Sequence, residues 1–361
     1  MMKTCLTFLA IIACCAAAQA EPYLAIQEGH QCRTCHVSTS GGGMRNVFGN
    51  VFSRALLPAH TLGAKKSNSF KWNGEILKYL KAGANIRATK RRSKIPGRPS
   101  QSTSGIERTS IYVAIEPVKN RLLFYADEEF AQGDEFNREA WVRWNFTQSF
   151  YARVGRLFLP FGLRIEDDTA FTRQVPGINF TTPDKGVEIG YEKGPWSTQL
   201  AISNGSAGGP DLDSGKQISL SAIYVQPRWR LGSSLNFNNS DAGDRQLYAL
   251  FGGARTGPVS WLAEVDYIVD RGFPEGRRDQ MTTLLEANWK IRRGLNAKIS
   301  YEYLDPDDAV SENQQTRTSA VLELFPIQFT QLRIGIRYHD GIPQSAVQNR
   351  TDWFFQLHAF F

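Results

Sequence analysis

The stretch Val259-Ser260-Trp261-Leu262-Ala263-Glu264-Val265-Asp266-Tyr267 decides the fold. Val259, Trp261, Ala263, Val265 and Tyr267 fall on one face, with Ser260, Glu264 and Asp266 on the other. A period of two is the pattern of a β-strand with one apolar and one polar side. The stretch 294–304 repeats it, setting Leu295, Ala297, Ile299, Tyr301 and Tyr303 against Asn296, Lys298 and Glu302. So does 331–339, with Leu332, Ile334, Ile336 and Tyr338 against Gln331, Arg333, Arg337 and His339. A soluble sandwich would turn such apolar faces toward a core. Here aromatic residues gather near the strand ends on the apolar face, as the interfacial girdle of a transmembrane barrel requires.

Working outward, the same pattern covers the chain from about residue 67. It predicts about 16 strands, starting near residues 70, 108, 121, 136, 150, 185, 196, 216, 229, 244, 258, 280, 294, 315, 329 and 350. Short connections near Val118-Lys119-Asn120, Thr147-Gln148, Lys193-Gly194-Pro195, Gln226-Pro227, Thr256-Gly257-Pro258, Arg292-Arg293-Gly294 and Pro326-Ile327 alternate with long ones near 89–106, 131–135, 159–184, 204–215, 239–243, 270–279, 305–314 and 340–349. Outer-membrane barrels have short periplasmic turns, long outer loops and an even strand count. The alternation places both ends of the barrel on the periplasmic side. The last strand sets Trp353, Phe355, Leu357, Ala359 and Phe361 on one face, a terminal aromatic resembling the assembly signal of outer-membrane proteins.

Mean hydropathy over the 361 residues is only -0.35. After residue 20 no apolar run approaches the ~18 residues of a membrane helix, which excludes a polytopic helical membrane protein. The 22 Phe, 12 Tyr and 8 Trp are not a disordered composition. Residues 1–20 read as a signal peptide: Lys3, an apolar stretch Cys5 to Ala13, and Ala18-Gln19-Ala20 before Glu21. Ile11-Ile12-Ala13-Cys14 offers a lipoprotein alternative; the A-x-A site is the better formed. Export to the outer membrane follows. Cleavage after Ala20 removes Cys5, Cys14 and Cys15 and leaves Cys32 and Cys35.

Those two stand in Cys32-Arg33-Thr34-Cys35-His36, the C-x-x-C-H attachment motif for one covalent c-type heme. Two thiols at this spacing can each form a thioether to one vinyl group, and His36 then offers its ring nitrogen to the iron. A zinc site would need two further ligands, and no other cysteine survives cleavage. A redox dithiol would need a thioredoxin-like setting, which the flanking sequence lacks. For the distal position the first candidate is Met44, eight residues after His36 and beyond the run Ser38-Thr39-Ser40-Gly41-Gly42-Gly43. His30, His60, His358 and an open or water-bound site are the rivals. His358 has inward parity on the last strand and is expected to be a lumen histidine.

Inward positions carry both signs, including Asp127, Glu129, Arg153, Glu264, Lys298 and Arg337, which argues against a single-sign ion pore. The long connection from Leu159 to Lys185 is expected to fold inward and narrow the lumen. Its carboxylates Glu166, Asp167 and Asp168 read as a solvated loop, with an external metal ion as the alternative. Arg87, Lys90, Arg91, Arg92, Lys94 and Arg98 are expected in the first long loop, attracted to anionic lipopolysaccharide.

Signal peptide, single heme motif and barrel together resemble the fused monoheme cytochrome–porins of bacterial outer membranes, whose best-known members oxidise iron(II). The family's start, P-x-F-A-R-Q-x-G-x-x-C-x-x-C-H, is matched at Pro22, Ala25, Gln27, Gly29, Cys32, Cys35 and His36. Leu24 stands for its Phe and Ile26 for its Arg. Gly41-Gly42-Gly43-Met44-Arg45-Asn46 looks like a wider group of heme-barrel proteins. Val154-Gly155-Arg156 and Leu159-Pro160-Phe161-Gly162 look like the phosphate-porin superfamily. The expected division is a signal peptide over 1–20, a monoheme cytochrome c segment over 21–66 and the barrel over 67–361. The fold class is all-β. The resemblance implies electron transfer across the outer membrane, from an extracellular donor such as Fe(II) to a soluble periplasmic cytochrome. The alternatives are a porin for small solutes with an accessory heme domain and a peroxidase-like heme enzyme.

Overall fold

The computed structural model describes residues 21–62, 71–131, 134–241 and 243–361. The expected signal peptide and the boundary at 66–67 lie outside the described residues. Among the described residues one antiparallel sheet contains seventeen strands. The first, β1 (Glu75–Leu77), is a short addition to the start of β2. The other sixteen close a ring, because the last strand pairs with β2. They are β2 (Leu80–Lys94), β3 (Gln101–Val118), β4 (Leu122–Ala131), β5 (Asp134–Asn145), β6 (Phe150–Leu157), β7 (Asp184–Lys193), β8 (Trp196–Ser203) and β9 (Gln217–Val225). The second half is β10 (Trp229–Asn238), β11 (Arg245–Thr256), β12 (Val259–Phe273), β13 (Gly276–Arg292), β14 (Leu295–Asp305), β15 (Gln315–Leu324), β16 (Thr330–Asp340) and β17 (Thr351–Phe360). Closure leaves none of the sixteen ring strands at an edge, which is what a strand structure needs in lipid.

The wall is apolar outside and polar inside. On β12, Trp261, Val265 and Tyr267 are exposed while Ser260, Glu264 and Asp266 are fully buried. Register carries the apolar face across neighbours: Trp261 faces Ala287, which faces Ile299. Trp144, Trp196, Trp229, Trp261 and Trp289 are all exposed and sit close to the short turns, forming the girdle at that end. This barrel is of the outer-membrane type.

Most expected strand starts agree to within a few residues, and two loops do not. The first strand begins at Leu80 rather than near 70. The segments 89–106 and 270–279 are mostly strand, with turns only at 95–100 and 274–275. Lys90, Arg91, Arg92 and Lys94 therefore stand on β2, not in a loop. The cause is that a hairpin reaching beyond the lipid is polar on both faces, so its alternation carries no hydrophobic signal.

The apolar core lies inside the ring. Residues 21–62 fold into α1 (Pro22–Gln27), α2 (Cys32–Cys35) and α3 (Val47–Ala55). Tyr23, Leu24 and Ile26 of this segment pack with Leu159, Phe161 and Leu163 of the 158–183 connection and with inward Leu247, Phe251 and Leu262 of the wall. Fully burying one such side chain contributes about 1.5–3 kcal/mol. The segment touches the wall nearly all round. Glu21 pairs with Lys298 at 3.2 Å and Arg333 at 3.5 Å. Tyr23 donates to Glu323 at 2.6 Å. On the opposite arc, Thr39 bonds the Tyr151 hydroxyl at 2.6 Å and the Met44 amide donates to Tyr125 at 3.0 Å. These are the contacts of a plug.

Candidate functional site

The two cysteines sit on a single helical turn. Gln31 and His36, on either side of α2, are extended, and the His36 amide donates to the Cys32 carbonyl at 3.0 Å. One turn brings both thiols to the same side. Neither is in a disulfide. Beyond His36 the chain reverses through Gly41, Gly42 and Gly43, whose φ values of +86°, +75° and +59° favour glycine at each position. It returns antiparallel, with Arg45 opposite His36. Asn46 then ties the return to the cysteine turn. Its side chain accepts from the Gly49 amide at 3.0 Å, capping α3, and donates to the carbonyls of Arg33 at 3.0 Å and Thr34 at 3.1 Å. α3 lies against α2 so closely that a Cβ on Gly49 would come within 2.2 Å of the Cys35 carbonyl oxygen.

His36 is buried, and neither ring nitrogen has a hydrogen-bond partner. Burial, with the Arg45 charge nearby, pushes its pKa down to about 3, although the backbone of Gly42, Gly43 and Met44 works the other way. The ring is thus neutral, the form in which an imidazole binds metal. Burial likewise pushes the Cys35 thiol up to about 11 and raises that of Cys32. An unpartnered buried imidazole is costly unless something else takes its lone pair.

Cys32, Cys35 and His36 line one cavity together. It encloses about 1230 Å³ of space not filled by atoms, mouth included. Leu24, Phe52, Phe161, Leu163 and Phe251 give it an apolar lining, and Arg164 and Arg230 bring two guanidinium groups to it. Arg230 donates to the His30 carbonyl at 2.7 Å, whereas Arg164 keeps one terminal nitrogen without a partner. A planar apolar group with two vinyl arms, an axial metal position and anionic side arms fits this donor set.

The other expected ligands go elsewhere. Met44 is 1% exposed and packs with Tyr112, Leu123, Tyr125 and Trp141, away from the cavity lining. His60 is exposed near the 325–329 turn. His358 points inward, as its parity predicts, and bonds Gln331 at 2.9 Å and Asn85 at 3.0 Å. His30 does line the cavity, with its ring edge-on to Phe48 at 5.4 Å. Sequence reasoning did not single out Arg230. Its signal was strand parity: Trp229 points out, so Arg230 points in.

The 158–183 connection folds into the lumen, as expected, but its acidic run is not a solvated loop. Glu166 pairs with Arg87, Asp168 with Arg108 at 2.5 Å, and Asp167 with Arg317 at 3.1 Å and with Arg337. Although burial raises its pKa, Arg337 and Arg317 hold the Asp167 carboxyl far below the usual carboxylate range. α4 (Phe171–Gln174) sits on this loop, and its Arg173 meets Glu264 at 2.5 Å. The carboxylates' partners are thus wall arginines. Among the described residues no group of three or more His, Cys, Asp or Glu is arranged to hold a metal ion.

No family model matches the chain, and no curated protein sequence matches it. Solved structures do. The anion-selective porin from Comamonas acidovorans aligns with a TM-score of 0.63 at 12% identity, covering 78% of this chain and 99% of that one. A loop L8 deletion mutant of OmpT, an outer membrane protein of Vibrio cholerae, aligns with a TM-score of 0.61 at 12% identity, over 78% of this chain and all of that one. Salmonella typhi OmpF, solved in complex with daunomycin, aligns at 0.58 with 11% identity, over 78% of this chain and 98% of that one. The chain has a porin-like, sixteen-stranded barrel fold. The matched share is the size of the barrel, residues 80–361.

Proposed function

We propose that this protein is an outer-membrane electron conduit. It carries one covalent heme c on Cys32, Cys35 and His36 inside a plugged barrel. The observation that carries the reading is the convergence of both thiols and the unpartnered His36 ring on one apolar cavity within the lumen. When bound, a heme would supply a one-electron site whose potential depends on its axial ligands and its dry surroundings. Cys32 and Cys35 would fix it covalently, His36 would hold the metal on one side, and Arg164 and Arg230 would meet its carboxylates. Met44 lies outside the cavity lining, so we leave it out of the ligand set. Phe161, Leu163 and Phe251 give the site an apolar wall.

The second reading is a porin for small solutes with an accessory heme segment, and likeness to solved porins favours it. The filled lumen weighs against it. Two measurements decide. Purified protein is expected to show a c-type absorption spectrum, and Cys32→Ala is expected to abolish both covalent attachment and electron transfer from Fe(II). In planar bilayers the intact protein is expected to conduct far less than a general porin. A missing c-type spectrum, or a wide-open conductance, would sink the conduit reading.

A further inference from the structure

The periplasmic half of the barrel contains a second hollow, for which electron transfer through the cavity does not account. It is a vestibule of about 1760 Å³, mouth included, bounded by the plug and by the β3–β4 and β5–β6 turns. His36 lines it on one side and lines the cysteine cavity on the other. Thr39 lines both hollows as well, so His36 and Thr39 together stand between the vestibule and the cavity.

The vestibule is positively charged. Two of its cations are already neutralised: Arg33 pairs with Glu192 at 3.3 Å and Lys81 with Glu116 at 3.2 Å. Lys119, Arg121 and Arg143 also line it, and among the described residues they form no ion pair. Lys119 and Arg121 are exposed. The charge continues beyond the hollow, with Lys193, Arg228 and Arg292 exposed on neighbouring periplasmic turns. Glu28 and Glu75 are the exposed carboxylates set against them, and Glu28 is bound to Lys290 at 3.2 Å. A cleft lined by one sign of charge concentrates a partner of the other sign and speeds its arrival.

We propose that this vestibule is the docking surface for a soluble periplasmic redox protein with an acidic contact face. The inference rests on the conduit reading above. Lys119, Arg121 and Arg143 draw the partner in, and its seat brings it against the His36 side of the cavity. One electron leaves the reduced barrel protein and reduces the partner, with no bond made or broken. A concave seat fits a rounded protein better than it fits the anionic cell-wall polymer, which would meet the rim of turns.

The test uses the full-length protein, reduced and then mixed with an oxidised acidic c-type cytochrome, an oxidised basic one, or a ferrocenium salt. At low salt the acidic cytochrome is expected to react at least ~10-fold faster than the basic one, and raising the salt to ~150 mM should erase most of that advantage. The double variant K119E/R121E is expected to slow the acidic reaction at least ~10-fold and leave the ferrocenium reaction unchanged. Equal or faster reaction with the basic cytochrome, or no response to K119E/R121E, would overturn the proposal. Calorimetric binding of the acidic cytochrome reads docking without any electron passing. Binding that the double variant loses, in protein with no heme spectrum, supports the docking surface while the conduit reading fails. Heme present with charge-insensitive binding overturns the docking surface and spares the conduit reading. If the variant loses binding of purified peptidoglycan but not of the cytochrome, the cations serve the cell wall and the proposal falls.

Discussion

Two elements fill this barrel, and they are held in different ways. The 158–183 connection is clamped by charge along its acidic run, where Glu166, Asp167 and Asp168 each meet a wall arginine and Arg173 meets Glu264, while its Leu159, Phe161 and Leu163 lie in the apolar core. The plug of residues 21–62 joins that core through Tyr23, Leu24 and Ile26, is pinned by Glu21 on Lys298 and Arg333, and adds close backbone approach, with Gly49 pressed on Cys35. A charged strut narrows a lumen and can remain wet. The plug, with Phe161 and Leu163 of the loop, lines a largely apolar cavity. Among the described residues only the plug carries cysteines, so the proposed heme site belongs to the plug.

Removing the plug should have the largest effect. Every strand pairing of the ring, β17 to β2 included, is made between wall strands. A chain lacking residues 21–60 is therefore expected to fold into the same barrel and to conduct at the level of a general porin, limited by the 158–183 loop alone. Single-channel recording in planar bilayers checks this. If the intact chain already conducts as much, the plug does not seal the lumen and the contrast drawn above is wrong.

Gly49 tests the close packing inside the plug. Gly49→Val places a branched side chain where a Cβ alone would meet the Cys35 carbonyl at 2.2 Å. Overpacking of this kind costs about 1–3 kcal/mol. The expected result is a several-fold lower yield of covalent heme with an unchanged barrel, seen as normal heat-modifiable migration on a gel. Full heme yield would show that α2 and α3 do not depend on each other.

The wall was largely legible in the sequence and its contents were not. Alternation through Trp261, Val265 and Tyr267 fixes which residues face lipid, because the pleat forces every second side chain to one side. That parity also turned His358 inward. It could not say that Glu21 would reach Lys298 or that Asp167 would reach Arg317 and Arg337, because those pairs join residues 150 or more apart. The C-x-x-C-H motif brought Cys32, Cys35 and His36 into view because their spacing is local. The Met44 assignment relied on distance along the chain, yet Met44 packs with Tyr125 and Trp141 because the Gly41–Gly43 turn lays the return strand against β4 and β5. The acidic run looked solvated because a carboxylate's partner is invisible until the loop folds inward.

The charged strut should respond least, and in a defined pH window. Asp167 is held below the ordinary carboxylate range by Arg337 and Arg317. A carboxyl with a depressed folded pKa adds stability that is present above its unfolded value of about 3.9 and is lost only as pH falls below it. The loop should therefore stay docked, with conductance of the plug-deleted barrel constant, from pH 8 down to about 4, and open below that. Asp167→Asn removes the anion and leaves Arg337 facing Arg317. Asp167 is about a fifth exposed at its side chain, so the cost falls short of that for a fully buried pair and is about 2 kcal/mol. The expected outcome is a modestly larger conductance at neutral pH and a loss of the acid transition. An acid transition that persists in Asp167→Asn would move the strut's anchor to Glu166 or Asp168, and it would leave the plug as the only element whose fixation is understood.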